Sequence, residues 1–477
     1  MPSVFVQTLG CKLNQLESEA FTGAFTEAGF DLYKTEDKFS PSIIIINTCT
    51  VTSKADQKAR RVIRKALRDY PDSCVLVTGC YAQLNQAQIE KLETCPHGES
   101  SRPARLFVLK GMGKESILSL PRYLEKSGNE PCRAVKMWRE NETENGGHVR
   151  EKGSVFQFNP KSFSGHTRGF LKIQDGCDRR CTYCRVCLAR GPSVSLDAEQ
   201  ALSRLRVLEE THAEAVITGV NISQYRDDKA GSLGELLDFL LSGTERISLR
   251  LSSLAPDSID EKLVKTLSHK RIRPHFHLSI QSFSEKILEK MGRGYNCEII
   301  ENAAAMLRGA KDDPFLACDI IAGFPGETKE EFEKTRGLCK KTDFAWIHVF
   351  PYSKRPGTPA CSFPETVSET EKTQRVQILT SLAQQGRADY VRRWLGREVN
   401  VLVENGNFSN SGCGGTSENY LKIFVRHNGE APPPGSVLRC RISSEYKCGN
   451  FDAAADILPG MLPAECVAEH EVPLIVT

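Results

Sequence analysis

The chain has 477 residues, 40% apolar and 26% charged, the balance of a globular protein able to bury about two to four domain cores. Nothing approaches the run of about 18 apolar residues that a spanning helix needs, and the opening MPSVFVQTLGCKLNQ lacks the basic and apolar regions of a secretory signal, so a cytoplasmic protein without membrane contact is expected. A formal net charge of +3 is too small to demand a nucleic-acid partner and leaves room for a local basic patch.

The first ~110 residues alternate strand and helix. SVFVQTLG reads as a strand and QLESEAFTGAFTEAG as a helix closed by glycine. SIIIINT is a continuous apolar run, the pattern of a strand buried on both faces. KADQKARRVIRKALRDY is helical, CVLVTG a strand, NQAQIEKLE a helix and RLFVL a further strand. A parallel sheet with crossover helices follows. Cys11, Cys49 and Cys80 each fall just past the carboxyl end of one of these strands. In an open parallel sheet those ends share the ligand-binding edge, so three thiols distant in sequence should converge there. The competing explanation is three unrelated buried thiols.

Residues ~120–165 read as polar and irregular, and ENETENGGHVREKG has the composition of a linker. From Arg168 the alternation resumes with GFLKIQ, AEAVITG, RISLRLS, HFHLSI, FLACDIIAG and FAWIHVF as strands, separated by helical patterns such as AEQALSRLRVLEE and KEEFEKTRGLCKK. Six such units predict a partial parallel barrel with its binding face at the carboxyl ends of the strands. After YVRRWLGRE the texture changes to VNVLVEN, YLKIFVRH and SVLRCRIS between Gly-, Asn- and Pro-rich turns. That is a small OB-like β-barrel, a type that often binds RNA, although a module that only packs on its neighbours fits the same pattern. The expected class is therefore α/β: an N-terminal parallel-sheet domain, a partial (βα)6 barrel and a small C-terminal β-barrel.

Eighteen cysteines in a chain with no export signal are poorly explained by disulfides. Scattered ones such as Cys74, Cys318 and Cys339 read as small buried hydrophobes. Cys177, Cys181, Cys184 and Cys187 instead crowd into GCDRRCTYCRVCLARG, directly after the first barrel strand. Structural zinc normally takes two spaced pairs, and no second pair completes one. Bacterial ferredoxins use C-x2-C-x2-C, whereas the first three cysteines here form C-x3-C-x2-C.

That spacing resembles the signature of radical S-adenosylmethionine (SAM) enzymes. TLGCKLNQLESE, INTCTVTSKAD, VTGCYAQ, IQDGCDRRCTYC, ITGVNI, LSSLAP and DIIAGFPGET stand in the order found in the methylthiotransferase family. The resemblance implies an N-terminal methylthiotransferase domain at 1–120, a radical SAM barrel at 163–393 and a TRAM domain at 394–458. Residues 121–162 are left as linker and 459–477 as tail. It implies two [4Fe–4S] clusters, a radical cluster on Cys177, Cys181 and Cys184 and an auxiliary one on Cys11, Cys49 and Cys80. Three thiolates leave one iron of the first open to SAM, whose cleavage yields a 5′-deoxyadenosyl radical. That radical removes hydrogen from carbon 2 of an adenine, sulfur comes from the auxiliary site and a second SAM supplies the methyl group. The opening TLGCKLNQLESE is most similar to the branch acting on N6-threonylcarbamoyladenosine at position 37 of tRNA. Alternatives are isopentenyladenosine in tRNA, an aspartate of a ribosomal protein or, more distantly, a non-catalytic iron–sulfur protein that binds RNA. Expected partners are the tRNA anticodon arm, a reductant and a sulfur donor, with the chain acting as a monomer.

By the same resemblance Tyr183 lies near the adenine of SAM. Gly323, Pro325 and Gly326 of GFPGET sit where backbone amides could meet SAM, or form a plain strand-to-helix turn. Asn221 and Gln281, polar groups at strand ends, are SAM or substrate contacts, or else caps and core hydrogen bonds. KARRVIRKALR could contact phosphates or be a solvated helix face. The chain departs from the family pattern at Cys187, where proline is common, and at Phe283, where glycine is usual. Both changes are expected near the barrel mouth, and Cys187 is not expected to be a cluster ligand.

Overall fold

A computed structural model describes residues 2–34, 39–93, 104–128, 130–144, 154–160, 163, 165–409, 412–427, 430–446 and 450–458. The tail 459–477 lies outside the described residues. The chain divides into two compact units. The first comprises Met1–Ser162, Gln174–Arg179 and Cys184–Leu196, and the second Phe163–Ile173, Arg180–Tyr183 and Asp197–Thr477.

In the first unit β1 (Ser3–Thr8), β2 (Asp31–Leu32), β3 (Ile43–Thr48), β4 (Cys74–Gly79) and β5 (Leu106–Val108) form one parallel sheet in the order β2-β1-β3-β4-β5. Every residue of β3 and β4 is buried, as their unbroken apolar runs require. Ile44, Ile46, Val75 and Val77 pack against Ala59 and Ile63 of the helix Ser53–Asp69. That helix starts where the Thr52 hydroxyl accepts the Ala55 N–H at 3.1 Å. Its Lys54, Lys58, Arg61, Arg64, Lys65 and Arg68 stay exposed.

The segment read as irregular holds helices at Pro121–Lys126 and Pro131–Glu144. Ala134, Val135 and Trp138 are fully buried. Their near-helical spacing makes a narrow apolar stripe, which the surrounding charged residues hid from an average over the segment. The Gly-rich part, 145–153, lies outside the described residues. A short antiparallel pair, β7 (Gln174–Asp175) with β8 (Val194–Ser195), completes this unit.

In the second unit β6 (Gly169–Lys172), β9 (Glu214–Thr218) and β10 (Ser248–Leu251) form a parallel sheet, as do β11 (His275–Gln281), β12 (Phe315–Ala322) and β13 (Trp346–Pro351). Parallel bridges Leu249–Ile272 and Leu254–Leu278 join them, so the six predicted strands stand side by side in chain order. Asp197, Asp260, Ser284, Asn296, Thr328 and Ser368 cap the helices between and after them with their own side chains. Cys74, Cys318 and Cys339 are buried, as expected for small hydrophobes.

The helix Glu369–Trp394 leads to the C-terminal module. There β14 (Glu398–Ser409), β15 (Gly412–Ser417), β16 (Lys422–Arg426), β17 (Val437–Glu445) and β18 (Ala453–Ile457) close a barrel in the order β14-β15-β16-β18-β17. Its interior, including Val401, Ile423 and Cys440, is continuous with Tyr390, Trp394, Phe315 and Ala317. The module and the six-stranded sheet thus share one core.

A buried charge cluster reinforces that joint. Arg250 grips Glu214 through Nε and Nη2 at 2.6 and 3.1 Å, and Arg273 Nε reaches the same carboxylate at 2.8 Å. Arg250 also donates to the Ser417 carbonyl at 3.3 Å, and Arg273 lies 3.5 Å from Glu418. Burial alone would raise the pKa of Glu214, but the two guanidiniums outweigh it and hold the carboxyl at about 2. Its stabilising effect is therefore complete above the ordinary value of 4.5 and disappears as pH falls through about 2. Glu214→Gln strands the buried Arg250 and leaves Arg273 with Glu418 alone, and should cost about 3–5 kcal/mol at neutral pH. Thermal melts should show a lower Tm, with the gap from the parent closing as pH falls below 4.5. An equal Tm at neutral pH would contradict this account.

Candidate active site

In the first unit, adjacent parallel strands bring Cys11, Cys49 and Cys80 to one edge. Cys11 precedes the helix Lys12–Glu27, Cys49 directly follows β3, and Cys80 opens the helix Cys80–Glu90 directly after β4. Burial pushes the Cys49 thiol up to about 11, and the charges of Cys11 and Cys80 add to that effect. The Val51 N–H and Arg190 oppose it.

Two glycines make the convergence possible. Gly10 has φ +118°, and a Cβ there would lie 2.6 Å from Cys49 Cβ and 3.1 Å from its Sγ. Gly79 has φ +97°, and its Cβ would fall 2.3 Å from the Thr48 carbonyl oxygen. Only a residue without a side chain suits either place.

Behind the thiols lies a buried polar network that the motifs did not reveal. Asn14 donates to the carbonyls of Leu9 and Thr48 at 2.9 and 3.1 Å, bracing the turns before Cys11 and Cys49. Arg190 donates to Asn14 Oδ1, Glu17 Oε1 and Asp175 Oδ2, each at 3.1 Å. Lys114 meets the other oxygen of Glu17 at 2.5 Å. Burial works against the charge of Arg190, but Glu17 and Asp175 outweigh it and keep the guanidinium protonated. The charges of Cys80 and Cys11 act on the guanidinium in the same direction. A cavity of about 20 Å³ lies against Cys80, Lys114, Asp175 and Arg190. One sequence signal was available: Asn14, Glu17 and Ser18 share a helix face with Leu13 and Phe21, and all five are buried.

The cysteine loop is divided between the units. On the first unit's side the β7–β8 pair ties its ends together. Gly176 has φ +72° and a Cβ there would lie 1.9 Å from the Pro192 carbonyl oxygen. The Cys177 N–H donates to the Gly191 carbonyl at 3.1 Å, and Cys184 Sγ accepts the Val186 N–H at 3.4 Å. Cys187 lies in the short helix Val186–Arg190, where its carbonyl accepts the Gly191 N–H at 2.9 Å.

On the second unit's side Cys181 is buried and its Sγ accepts Arg293 Nη1–H at 3.2 Å. Thr182 donates its N–H to the Met291 carbonyl at 2.9 Å and accepts the Ala360 N–H at 2.8 Å. Tyr183 is half-buried and meets Phe324 edge-on, ring centroids 6.4 Å apart. Gly323, Pro325 and Gly326 surround that phenylalanine at the end of β12. Two of their amides are already engaged, Gly323 with Glu327 and Gly326 with Thr366, each at 2.7 Å. Arg375 holds Glu327 in turn at 2.7 Å.

Asn221 follows β9, and its side chain does not cap the turn Ile222–Gln224 that it begins. Gln281 closes β11 with φ +77°, a strained conformation for a residue with a side chain. Phe283 departs from the expectation of a mouth position, since its ring is buried and packs on Phe344 at 6.3 Å. The departure from glycine there fills core volume. Ser253, His277 and Asp319 also escaped the motif reading. Ser253 Oγ lies 2.6 Å from His277 Nδ1, and His277 Nε2 lies 3.2 Å from Asp319 Oδ1.

The donor sets are soft thiols, and those at Cys181 and Cys184 receive N–H···S bonds of the kind that surround cluster ligands.

Residues 171–339 match the Radical SAM superfamily, and residues 3–97 match a family described as Uncharacterized protein family UPF0004. With parallel strands and a C-x3-C-x2-C loop after the first of them, the class is that of a radical SAM enzyme. The threonylcarbamoyladenosine tRNA methylthiotransferase MtaB of Treponema pallidum is 36% identical, over 93% of this chain and 99% of its own length. The Bacillus subtilis protein of the same name is 33% identical over 93% and 94%. The tRNA-2-methylthio-N(6)-dimethylallyladenosine synthase of Bacillus subtilis is 29% identical over 92% and 83%. The chain belongs to the MtaB methylthiotransferase family.

The glycine constraint can be tested directly. Gly10→Ala and Gly79→Ala should each lower the iron bound on anaerobic reconstitution by about half, one cubane of two. Gly23→Ala, at a helical site with open space around it, should keep all of it. Full iron in the first two variants would refute the argument.

Proposed function

We infer that this chain adds a methylthio group to carbon 2 of N6-threonylcarbamoyladenosine at position 37 of tRNA, using SAM and two [4Fe–4S] clusters. The observation that carries this reading is the pairing, in one chain, of three thiols at the ends of β1, β3 and β4, spaced by the glycines Gly10 and Gly79, with the C-x3-C-x2-C loop after β6. The substrate follows from the relatives named for it, which match along nearly their whole lengths.

Cys177, Cys181 and Cys184 would hold the radical cluster, and Cys11, Cys49 and Cys80 the auxiliary one. When bound, the clusters and SAM supply one-electron and sulfur chemistry. The protein's own residues position and charge the site. Arg190 keeps a buried positive charge beside Cys11 and Cys80, and Asn14 braces the turns that carry Cys11 and Cys49. Tyr183, Asn221 and Gln281 are assigned to SAM contacts, and Gly323, Pro325 and Gly326 to the turn that borders SAM, because the Gly323 and Gly326 N–H groups are already bonded within the protein. Cys187 is left outside both ligand sets.

The functional division is 1–120 for the auxiliary site, 121–162 as a connecting segment, 163–393 for the radical barrel and 394–458 for tRNA. Arg426, Arg439 and Arg441 stand exposed on the C-terminal module, suited to phosphates of the anticodon arm. The base must leave its stack to be reached, at a cost of a few kcal/mol, which contacts to the threonylcarbamoyl group would offset. The enzyme acts as a monomer in the cytoplasm with a separate reductant and sulfur donor. Among the described residues no helix is long and apolar enough to cross a membrane.

Three results are expected. Reconstituted protein should hold about eight irons, and replacing Cys11, Cys49 and Cys80 by alanine should leave about four, with SAM cleavage retained and sulfur insertion lost. Iron analysis finding no loss would refute the auxiliary assignment. Nucleoside mass spectrometry should find product on tRNA carrying threonylcarbamoyladenosine and none on unmodified or isopentenylated tRNA. Product from the isopentenylated tRNA alone would overturn the substrate. Because the C-terminal module shares its core with β12, charge substitution tests it more cleanly than deletion. Glutamine at Arg426, Arg439 and Arg441 should weaken tRNA binding and reduce the salt slope by about one per lost phosphate contact.

A further inference from the structure

We propose that Arg293 is a positioning residue that raises the reduction potential of the radical cluster through a charged N–H···S hydrogen bond to Cys181. The proposal rests on the reading that Cys177, Cys181 and Cys184 hold that cluster.

The local fold aims this guanidinium at one sulfur. The helix Glu285–Met291 ends on Gly292, whose left-handed φ of +71° reverses the chain. The reversal lies against the cysteine loop, since a Cβ on Gly292 would be 3.3 Å from the Arg180 carbonyl oxygen and 3.8 Å from Cys181 Cα. Thr182 adds two bonds to the same helix end, its N–H to Met291 O at 2.9 Å and its hydroxyl to Lys290 O at 2.8 Å. Arg293 therefore follows a turn already fastened to the loop.

Its donors are then allotted one by one. Nε donates to the Tyr295 hydroxyl at 2.6 Å and Nη2 to the Ser279 carbonyl at 2.6 Å. The Tyr295 hydroxyl donates back to the Ser279 carbonyl at 2.6 Å, and the guanidinium carbon sits 4.9 Å from the Tyr295 ring centroid. With the planar fork held on two sides, Nη1 points to Cys181 Sγ at 3.2 Å. A guanidinium carries its charge at any pH at which the protein is folded. A passive structural arginine could have been satisfied by the carbonyl and the hydroxyl. This one spends a charged donor on a thiol that the reaction uses.

The consequence is electrostatic. One electron from a low-potential donor adds one negative charge to the cluster and its ligands. A fixed cation hydrogen-bonded to a ligand sulfur stabilises that state more than the oxidised one, so the potential rises. No bond is made or broken in this step, and no proton need leave Arg293.

The test uses the full-length reconstituted protein and a dithionite titration with redox mediators, followed by electron paramagnetic resonance. The radical cluster is recognised by the change that SAM makes in its spectrum. Arg293→Met should keep its full iron. At the parent's midpoint its ratio of reduced to oxidised cluster should fall about tenfold, a drop of about 59 mV for a one-electron couple. Arg293→Lys, which keeps the charge without the fork, should fall between the two. A full complement of iron with an unchanged midpoint in Arg293→Met would overturn the proposal. So would loss of iron from both variants, because Arg293 would then only brace the loop. A parent protein whose spectrum ignores SAM would instead sink the cluster assignment itself.

Discussion

The first unit depends on one buried cation. Arg190 is almost fully enclosed, and an isolated charge there would be prohibitively costly. It is tolerable only because Glu17, Asp175 and Asn14 converge on it from other segments of the unit. Glu17 answers to Lys114 as well, so two cations face two carboxylates. The pairing joins the helix after Cys11 to both flanks of the cysteine loop that lie in this unit. Such an arrangement adds little net stability beyond an apolar core of the same shape, but losing any one member leaves the others uncompensated. Specific placement of the thiols is what it supplies.

The second unit uses a different device. Its six strands are held by ordinary apolar packing, and its ionic cluster sits where β9, β10 and the segment before β11 meet the C-terminal module. Glu214 unites two arginines, one of which also bonds to the backbone of the module. The helix Glu369–Trp394 adds Tyr390, whose hydroxyl donates to Asp313 O at 2.8 Å and accepts from Asn419 at 3.1 Å. The module is therefore part of the unit's core.

Backbone conformation does comparable work at the thiols. Gly10, Gly79 and Gly176 each precede a cysteine, and each has positive φ with backbone or another cysteine where a Cβ would be. The recurring G-C dipeptide is thus a steric requirement of bringing sulfur close to a neighbouring strand. Gln281 breaks that habit, holding a left-handed conformation with a side chain at the end of β11. Strain of this kind persists where surroundings impose it, and here it turns a polar group at a strand end.

Most of the strands, the presence of the helices quoted from the sequence and the thiols at the strand ends were legible in the sequence, whereas the starts of the helices at Lys12 and Cys80 and the short or Gly- and Ala-rich strands β2, β7, β8, β15 and β18 were not. Each legible feature is a local property, set by apolar runs such as IIII at Ile43–Ile46, by capping residues and by turn glycines. The helices between Pro121 and Glu144 were not, because an apolar stripe as narrow as Ala134, Val135 and Trp138 is diluted by charged neighbours. Nor could the sequence reveal the partners of buried charges. Glu17 and Arg190 are 173 residues apart, and Cys181 and Arg293 are 112 apart. No periodicity spans such distances. Which carboxylate meets which guanidinium, and which guanidinium is left facing a sulfur, is decided only when packed elements exclude water and force every charge to find a partner.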